Sequence, residues 1–208
     1  MFNFRKRQER HEPWNKGKLV GQKSPFTMQE IWSIRMRLQT TGNLRDLALF
    51  NLAIDSKLRA CDLLALRVSD VASSGQAQSR AIVRQRKTKR PVRFEITART
   101  RKSVEVWISA AGLTDCAYLF PSRISGSPHL STRQYARILD DWVSSIGLDP
   151  KAYGTHSMRR TKATLIYRRT KNLRAVQLLL GHWKLDSTVR YLGIEIDDAL
   201  EMSEQIDI

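Results

Sequence analysis

The chain has 208 residues, of which 41% are apolar, so it can bury a core as one domain, or as a domain with an appended arm, without disulfides or metals. Lysine and arginine number 36 against 20 aspartates and glutamates, a formal net charge of +16. This charge favours a polyanionic partner, nucleic acid ahead of membrane, and no segment approaches the roughly 20 apolar residues that span a bilayer. The basic N-terminus lacks the apolar stretch of a secretory signal. We expect a cytoplasmic protein in which Cys61 and Cys116 are reduced and buried.

The two ends of the chain differ in charge. Residues 1–24 are basic and weakly apolar, which predicts a flexible N-terminal arm. Residues 195–208 carry only acidic charges among apolar residues, so they fit either a short helix that docks on a basic neighbour or a solvated tail. Residues 25–194 are expected to form the folded domain between them.

Helical signals dominate the start of that domain. The segment Thr27-Met28-Gln29-Glu30 has the form of a capping box and predicts a helix that begins there. After the Gly42-Asn43 break, a strongly apolar helix is predicted through residues 47–54. Another is predicted from about Cys61 to Leu66.

Residues 80–96 change to a strand-like pattern. Two strands, at 81–83 and 92–96, are joined across the basic turn RKTKRP at 86–91. Helices are predicted again near 98–108, after a second capping box at 131–134, from about 155, and around 173–180 and 188–192. The sequence thus predicts a mainly α fold with a small antiparallel β-sheet, an α+β class.

Two basic residues in the first half could act on a phosphate. Arg59, in the segment LRACDLLAL, stands where an apolar helix begins. It could bind a phosphate, or it could be an exposed arginine paired with Asp62. Lys87 lies at the tip of the predicted hairpin, where a flexible ammonium could protonate a leaving oxygen or only touch a phosphate. Lys89 competes for the same role.

The segment HSMRRT supplies a third group. His156 and Arg159 are three residues apart on a predicted helix, so both side chains project from one face. A histidine beside a guanidinium suits the non-bridging oxygens of a phosphate better than it suits a metal ion.

The fourth group is LLGH followed by RYLG. Gly181 ends a helix and leaves His182 at its exposed tip. Tyr191 follows nine residues later, in a short helix that Ser187 could cap. On its own, Tyr191 would be interpreted as a half-buried core tyrosine.

Together these groups resemble the tyrosine recombinase or phage integrase family. The resemblance covers roughly residues 27–194, and LRACDLLAL, HSMRRT, LLGH and RYLG look like their family counterparts. All six catalytic positions of the family are present in the family's order: Arg59, Lys87, His156, Arg159, His182 and Tyr191. The resemblance implies that residues 25–194 form a recombinase-like catalytic domain.

The resemblance also implies a role for each residue. Tyr191 would attack the scissile phosphate, leaving a 3′-phosphotyrosine and a free 5′-hydroxyl, while Arg59 and Arg159 would clamp the non-bridging oxygens. His156 would add a hydrogen bond or assist proton transfer. His182 would orient the phosphate or the tyrosine, and Lys87 would protonate the departing 5′-oxygen. The phosphodiester energy is kept in the phosphotyrosine, so no metal, nucleotide or other cofactor is expected.

Two features depart from the family pattern. The family often has glycine two residues before the first arginine, and here that position is Lys57; we expect this change only to adjust the start of the helix. Many members also carry a helical core-binding domain before the catalytic domain, whereas about 25 residues precede it here. The chain therefore resembles the short, catalytic-domain-only fimbrial phase-switch invertases, or a truncated integrase.

The favoured function is site-specific DNA recombination in integration, excision or inversion, by a protein of a bacterium, phage or mobile element. A type IB topoisomerase would share the phosphotyrosine chemistry without strand exchange. A non-catalytic DNA-binding accessory protein is the alternative of a different class.

The expected partner is double-stranded DNA, with no membrane. We also expect a protein that is a monomer free in solution and assembles as a homotetramer on DNA. Accessory DNA-bending proteins could take part, and the acidic tail is expected to pack on a neighbouring protomer. Further DNA contacts are predicted on helices and on the hairpin turn, at Lys89, Arg133, Arg137, Arg160 and Lys162.

Overall fold

The protein is described by a computed structural model covering residues 22–123, 126–194, 200 and 203–204. The predicted basic arm at 1–24 and the acidic tail at 195–208 therefore lie almost entirely outside the described residues. Within the described ranges, the α-helices are α1 (Met28–Thr40), α2 (Leu44–Ser56), α3 (Ala60–Leu63), α4 (Ala98–Ala110), α5 (Thr132–Ser145), α6 (Thr155–Thr170), α7 (Leu173–Leu180) and α8 (Leu185–Leu192). The strands are β1 (Ala72–Ser73), β2 (Gln76–Ala77), β3 (Arg80–Arg84) and β4 (Pro91–Glu95).

The mainly helical fold with a small antiparallel sheet is confirmed. Strands β3 and β4 pair antiparallel with Ala81 opposite Phe94 and Val83 opposite Val92. Ala81, Val92 and Phe94 are buried, so one face of the hairpin packs on the core while its turn projects outward. A second two-stranded sheet, formed by β1 and β2, was not predicted because two-residue strands leave almost no alternation in the sequence.

Both predicted capping boxes are present. Thr27 accepts from the Glu30 backbone at the start of α1, and Ser131 does the same for Gln134 at the start of α5. The apolar helix α2 is buried along most of its length and forms the centre of the main core. Helix α3 is shorter than expected, since it ends at Leu63.

Lys57 contradicts the expectation that it only adjusts a helix start. It ends α2 in the left-handed conformation, with φ of 54°, a region that favours glycine. Its side chain is 1% exposed, and its ammonium donates to the backbone oxygen of Asp55 and to Glu95. These contacts offset the strain of the left-handed backbone where α2 ends before Arg59.

Helices α6, α7 and α8 share a small apolar cluster of their own. Its buried members are Ala163, Tyr167, Val176 and Leu180, and Tyr191 and Leu192 pack against it. Helix α8 begins at Leu185 after Lys184, so the prediction that Ser187 caps it is wrong. Because its apolar residues meet α6 and α7, the position of Tyr191 depends on this cluster.

The expectation that both cysteines are buried is wrong for one of them. Cys61 is partly buried, but Cys116 is exposed, because it lies in the surface turn after α4 rather than in an apolar stretch that packs inward. In the part of the chain that the structure describes, no helix is long and apolar enough to cross a bilayer.

Candidate active site

Helix α6 presents His156 and Arg159 at its N-terminal end. His156 is exposed, whereas Arg159 is 2% exposed. Nη2 of Arg159 donates to the Leu180 carbonyl at 2.7 Å, which joins α6 to the end of α7. Nη1 of Arg159 is buried and has no hydrogen-bond partner among the described residues. A buried guanidinium with an unused donor can bind an anion oxygen at little reorganisation cost.

His182 lies between Arg159 and the last helix. Its Nε2 is 3.4 Å from Nη2 of Arg159, and its Nδ1 is 3.1 Å from Oγ1 of Thr188. A guanidinium can only donate, so Nε2 accepts and Nδ1 carries the proton that is donated to Thr188. Burial, with the charges of Arg159 and Arg59, lowers the pKa of His182 to about 4. His182 is therefore neutral at pH 7.

Tyr191 lies against both of these side chains. Its ring meets the His182 ring edge-on at 5.3 Å between centroids, and Cζ of Arg159 is 5.8 Å from the tyrosine centroid. The hydroxyl donates to the backbone oxygen of His156 at 3.4 Å. Burial raises the pKa of Tyr191 to about 12, although the cations of Arg159 and Arg160 oppose the rise. Without DNA, the phenol is thus protonated and rests on the N-terminal turn of α6.

Arg59 lies close enough to the site for its charge to act on His156 and His182. It precedes α3 in an extended conformation and donates from Nη1 to Oε1 of Gln85 at 2.6 Å. Its charge contributes to lowering the pKa of His156 and of His182, after burial and Arg159. The alternative pairing with Asp62 is absent among the described contacts, since Asp62 accepts instead from the Arg86 backbone at 2.8 Å.

Lys87 and Lys89 both lie in the exposed turn between β3 and β4. Lys89 has the left-handed φ of 57° and donates its backbone N–H to the Gln85 carbonyl. Thr88, beside Lys87, donates its hydroxyl to Oε1 of Gln85 at 2.7 Å. The turn is thus attached to the residue that holds Arg59.

A partly buried ion-pair network supports the segment before Arg59. Oδ1 of Asp55 binds Lys162 at 2.6 Å, and Lys162 also lies 2.7 Å from Glu95. Glu95 in turn pairs with Lys57 at 2.9 Å. Burial raises the pKa of Asp55, but hydrogen bonds from Lys162 and Thr100 outweigh it, so the pKa is lowered overall. The network joins α2, β4 and α6, the elements that carry the site.

The residues predicted to contact DNA divide into two sets. Arg133 and Arg137 are exposed one turn apart on α5, and Lys89 is exposed on the hairpin. Lys162 pairs with two carboxylates, and Arg160 is 7% exposed and donates to the Lys23 carbonyl. Lys162 and Arg160 are thus engaged within the protein in this structure, and their contact with DNA stays a prediction.

Sequence reasoning missed Gln85 and Thr188. Both are fully buried, and each binds a predicted site residue. Thr188 is six residues after His182, and Gln85 is two before Lys87, so proximity along the chain was the available signal. Within the described ranges, no three His, Cys, Asp or Glu side chains are grouped so that they could hold a metal ion.

The lowered pKa of His182 gives a pH dependence of stability. The unfolded chain binds a proton near pH 6.5, whereas folded His182 does so near pH 4. The unfolded state therefore holds more protons between these values, and the free energy of unfolding should fall as the pH decreases from 6.5 toward 4. His182→Gln should flatten this part of the curve when urea unfolding is measured at half-unit pH intervals. Parallel curves for both proteins would contradict this assignment.

The phage integrase family model matches residues 26–195. The probable integrase/recombinase YoeC of Bacillus subtilis (strain 168) is 33% identical over 171 residues, which are 82% of this chain and 89% of YoeC. The tyrosine recombinase XerC of Erythrobacter litoralis (strain HTCC2594) is 29% identical over 152 residues, 73% of this chain and 47% of XerC. The chain thus spans most of YoeC but about half the length of XerC.

The solved structure of XerH site-specific recombinase, bound to difH substrate in a pre-cleavage complex, has the same fold. Its TM-score is 0.69 at 16% identity, covering 86% of this chain and 53% of XerH. The fold is therefore that of tyrosine recombinase catalytic domains. With the family match over residues 26–195, the chain belongs to the phage integrase family of tyrosine recombinases.

Proposed function

We propose that this protein is a site-specific DNA recombinase that cleaves and rejoins duplex DNA through a 3′-phosphotyrosine at Tyr191. The observation that most supports the proposal is the convergence of Arg159, His182 and Tyr191 around one point, with an unused buried donor on Arg159. Arg159 lies on α6, Tyr191 lies on α8, and His182 follows the end of α7. This arrangement suits the charge that builds up on a phosphate during in-line attack.

The cleavage step assigns one role to each group. The Tyr191 oxygen bonds to phosphorus as the bond to the 5′-oxygen breaks, while Arg59 and Arg159 neutralise the non-bridging oxygens. The phenol proton passes to His156 or to water, and the Lys87 ammonium protonates the 5′-oxygen. Neutral His182 positions Arg159 and the tyrosine ring. Attack of another strand's 5′-hydroxyl on the phosphotyrosine then restores the phosphodiester and releases Tyr191.

DNA would lie over the exposed ends of α5, α6 and the β3–β4 turn. Arg133, Arg137 and Lys89, which are exposed, would contact its phosphates and fix the duplex without specifying bases. The DNA-bound structure of XerH supports duplex DNA as the partner. Four copies would act on two duplexes, with the acidic residues at 195–208 packed on a neighbouring copy and DNA-bending proteins assisting.

The test uses nicked suicide duplexes enriched from a random-sequence pool by binding to the protein, and supercoiled plasmids that carry the enriched sequence. We expect an SDS-resistant protein–DNA adduct, followed by joining of strands from two different duplexes. Relaxation of plasmid without joining would indicate a topoisomerase. Specific binding without any adduct would indicate a non-catalytic binding protein, and either result would contradict the proposal.

A further inference from the structure

Gln85 makes hydrogen bonds with three parts of the candidate active site. It is the last residue before the β3–β4 turn, and its side chain is completely buried. Oε1 accepts from Nη1 of Arg59 at 2.6 Å and from the hydroxyl of Thr88 at 2.7 Å. Nε2 donates to the carbonyl of Leu180 at 3.2 Å. One amide therefore contacts the residue before α3, the hairpin turn and the end of α7.

The Leu180 carbonyl extends this connection to the second arginine. The same oxygen accepts from Nη2 of Arg159 at 2.7 Å, so Gln85 and Arg159 bind one acceptor. Arg59 and Arg159 lie on elements 100 residues apart in sequence, yet they are joined by a chain of three hydrogen bonds through Gln85 and Leu180. Such a chain fixes the separation of the two guanidinium groups.

Gly181 makes the approach of Gln85 to Leu180 sterically feasible. It has φ of 64°, and a Cβ atom there would lie 2.5 Å from Cγ2 of Val92 and 3.1 Å from Nε2 of Gln85. Any side chain at this position would push the end of α7 away from the hairpin. The end of α7 therefore packs closely against both Val92 and the Gln85 amide.

The backbone of Gln85 also closes the turn that carries Lys87. Its N–H donates to the Arg90 carbonyl at 2.8 Å, and its carbonyl accepts from the N–H of Lys89 at 2.8 Å. With the Thr88 hydroxyl on Oε1, the turn is attached at both of its ends and beside Lys87. The residue that holds Arg59 therefore also holds the turn that carries Lys87.

We infer that Gln85 is a positioning residue that fixes the positions of the Lys87 turn and of Arg59 relative to Arg159. The inference rests on the proposed function, and it assigns to Gln85 no contact with DNA. Its effect is on the rate of cleavage rather than on affinity, because phosphate contacts elsewhere on the surface hold the duplex. Misplacing a reacting group by about 1 Å can cost as much as 10²-fold in rate.

The test compares Gln85→Leu with Asn51→Leu in single-turnover cleavage of the enriched nicked duplex. Asn51 is the matched control, since it is a buried amide that accepts from Nε of Arg35 at 2.7 Å and donates to Ser103 at 3.2 Å, away from the site. We expect Gln85→Leu to cleave about 10- to 100-fold more slowly than wild type with unchanged DNA affinity. Asn51→Leu should cleave at the wild-type rate.

A second substrate distinguishes positioning from a general loss of fold. In a duplex with sulfur in place of the scissile 5′-oxygen, the leaving thiolate needs no proton, because a thiol is far more acidic than an alcohol. Part of the Gln85→Leu loss, about tenfold, should then disappear because Lys87 is no longer needed. Thr88→Val, an exposed change that removes only the turn contact, should show a smaller loss that this substrate restores.

Two outcomes would overturn the inference while the proposed function stands. One is an adduct with wild-type protein and a Gln85→Leu rate equal to that of Asn51→Leu. The other is a Gln85→Leu loss of equal size on both substrates. If wild-type protein forms no adduct on either substrate, the proposed function fails first, and the inference fails with it.

Discussion

Replacing Arg159 with lysine should slow formation of the covalent adduct by about 10²- to 10³-fold. The guanidinium donates to the Leu180 carbonyl and keeps a second donor, Nη1, unused and buried. A lysine ammonium is a single point charge, so it cannot donate to the Leu180 carbonyl and to a phosphate oxygen in the fixed planar geometry of a guanidinium. Transition-state charge on the phosphate would therefore be stabilised less. The measurement is the single-turnover rate of adduct formation together with the DNA dissociation constant.

Arg168→Lys provides the control for this prediction. Arg168 is exposed in the last turn of the same helix, α6, so the substitution keeps the charge and the helix. Its rate should match wild type. If Arg159→Lys cleaved as fast as Arg168→Lys, Arg159 would not be a phosphate ligand in the reaction.

Replacing Asp55 with alanine should lower the free energy of unfolding by about 3 kcal/mol, because it breaks the ion pair with Lys162 and removes the buried carboxylate on which four hydrogen bonds converge. Asp55 accepts from Lys162, from Thr100 and from both the N–H and the hydroxyl of Thr97. Removing the carboxylate therefore breaks an ion pair and leaves several donors unsatisfied. The measurement is urea unfolding at pH 7.

Asp141→Ala is the matched change outside the network. Asp141 is exposed on α5, and surface substitutions of this kind usually alter stability by less than about 0.5 kcal/mol. A loss below about 1 kcal/mol for Asp55→Ala would show that the network carries little of the stability of the domain.

Local features of the fold could be predicted from the sequence. The capping boxes at Thr27 and Ser131 involve groups three residues apart, so the whole interaction lies inside a short window. The β3–β4 hairpin was predicted for the same reason, since alternation and a basic turn lie within residues 80–96. In both cases the residues that fix the structure are neighbours in the chain.

The environment of Lys57 could not be predicted in this way. The strain of its left-handed backbone is local, but the contact with Glu95 that offsets this strain joins positions 38 residues apart. Lys162 is predicted to contact DNA because it lies on a helix that could enter a groove. Its pairing with Asp55, 107 residues away, could only be known from the folded chain.

In the candidate site, too, some residues could be predicted from sequence motifs and others could not. The six residues named from the motifs include Arg159, His182 and Tyr191, which the structure brings into contact. Gln85 and Thr188 were not predicted, because an amide and a hydroxyl have no distinctive sequence signal unless their partners are known.

The most direct test of the central claim is to identify the amino acid that is linked to DNA. The adduct formed on a nicked suicide duplex would be digested with nuclease and trypsin, and the peptide that retains a nucleotide would be sequenced by mass spectrometry, with Tyr191→Phe protein treated in parallel. We predict that the nucleotide is attached through its 3′-phosphate to Tyr191 and that the variant yields no adduct. Attachment at any other residue, or an adduct with Tyr191→Phe, would contradict the account.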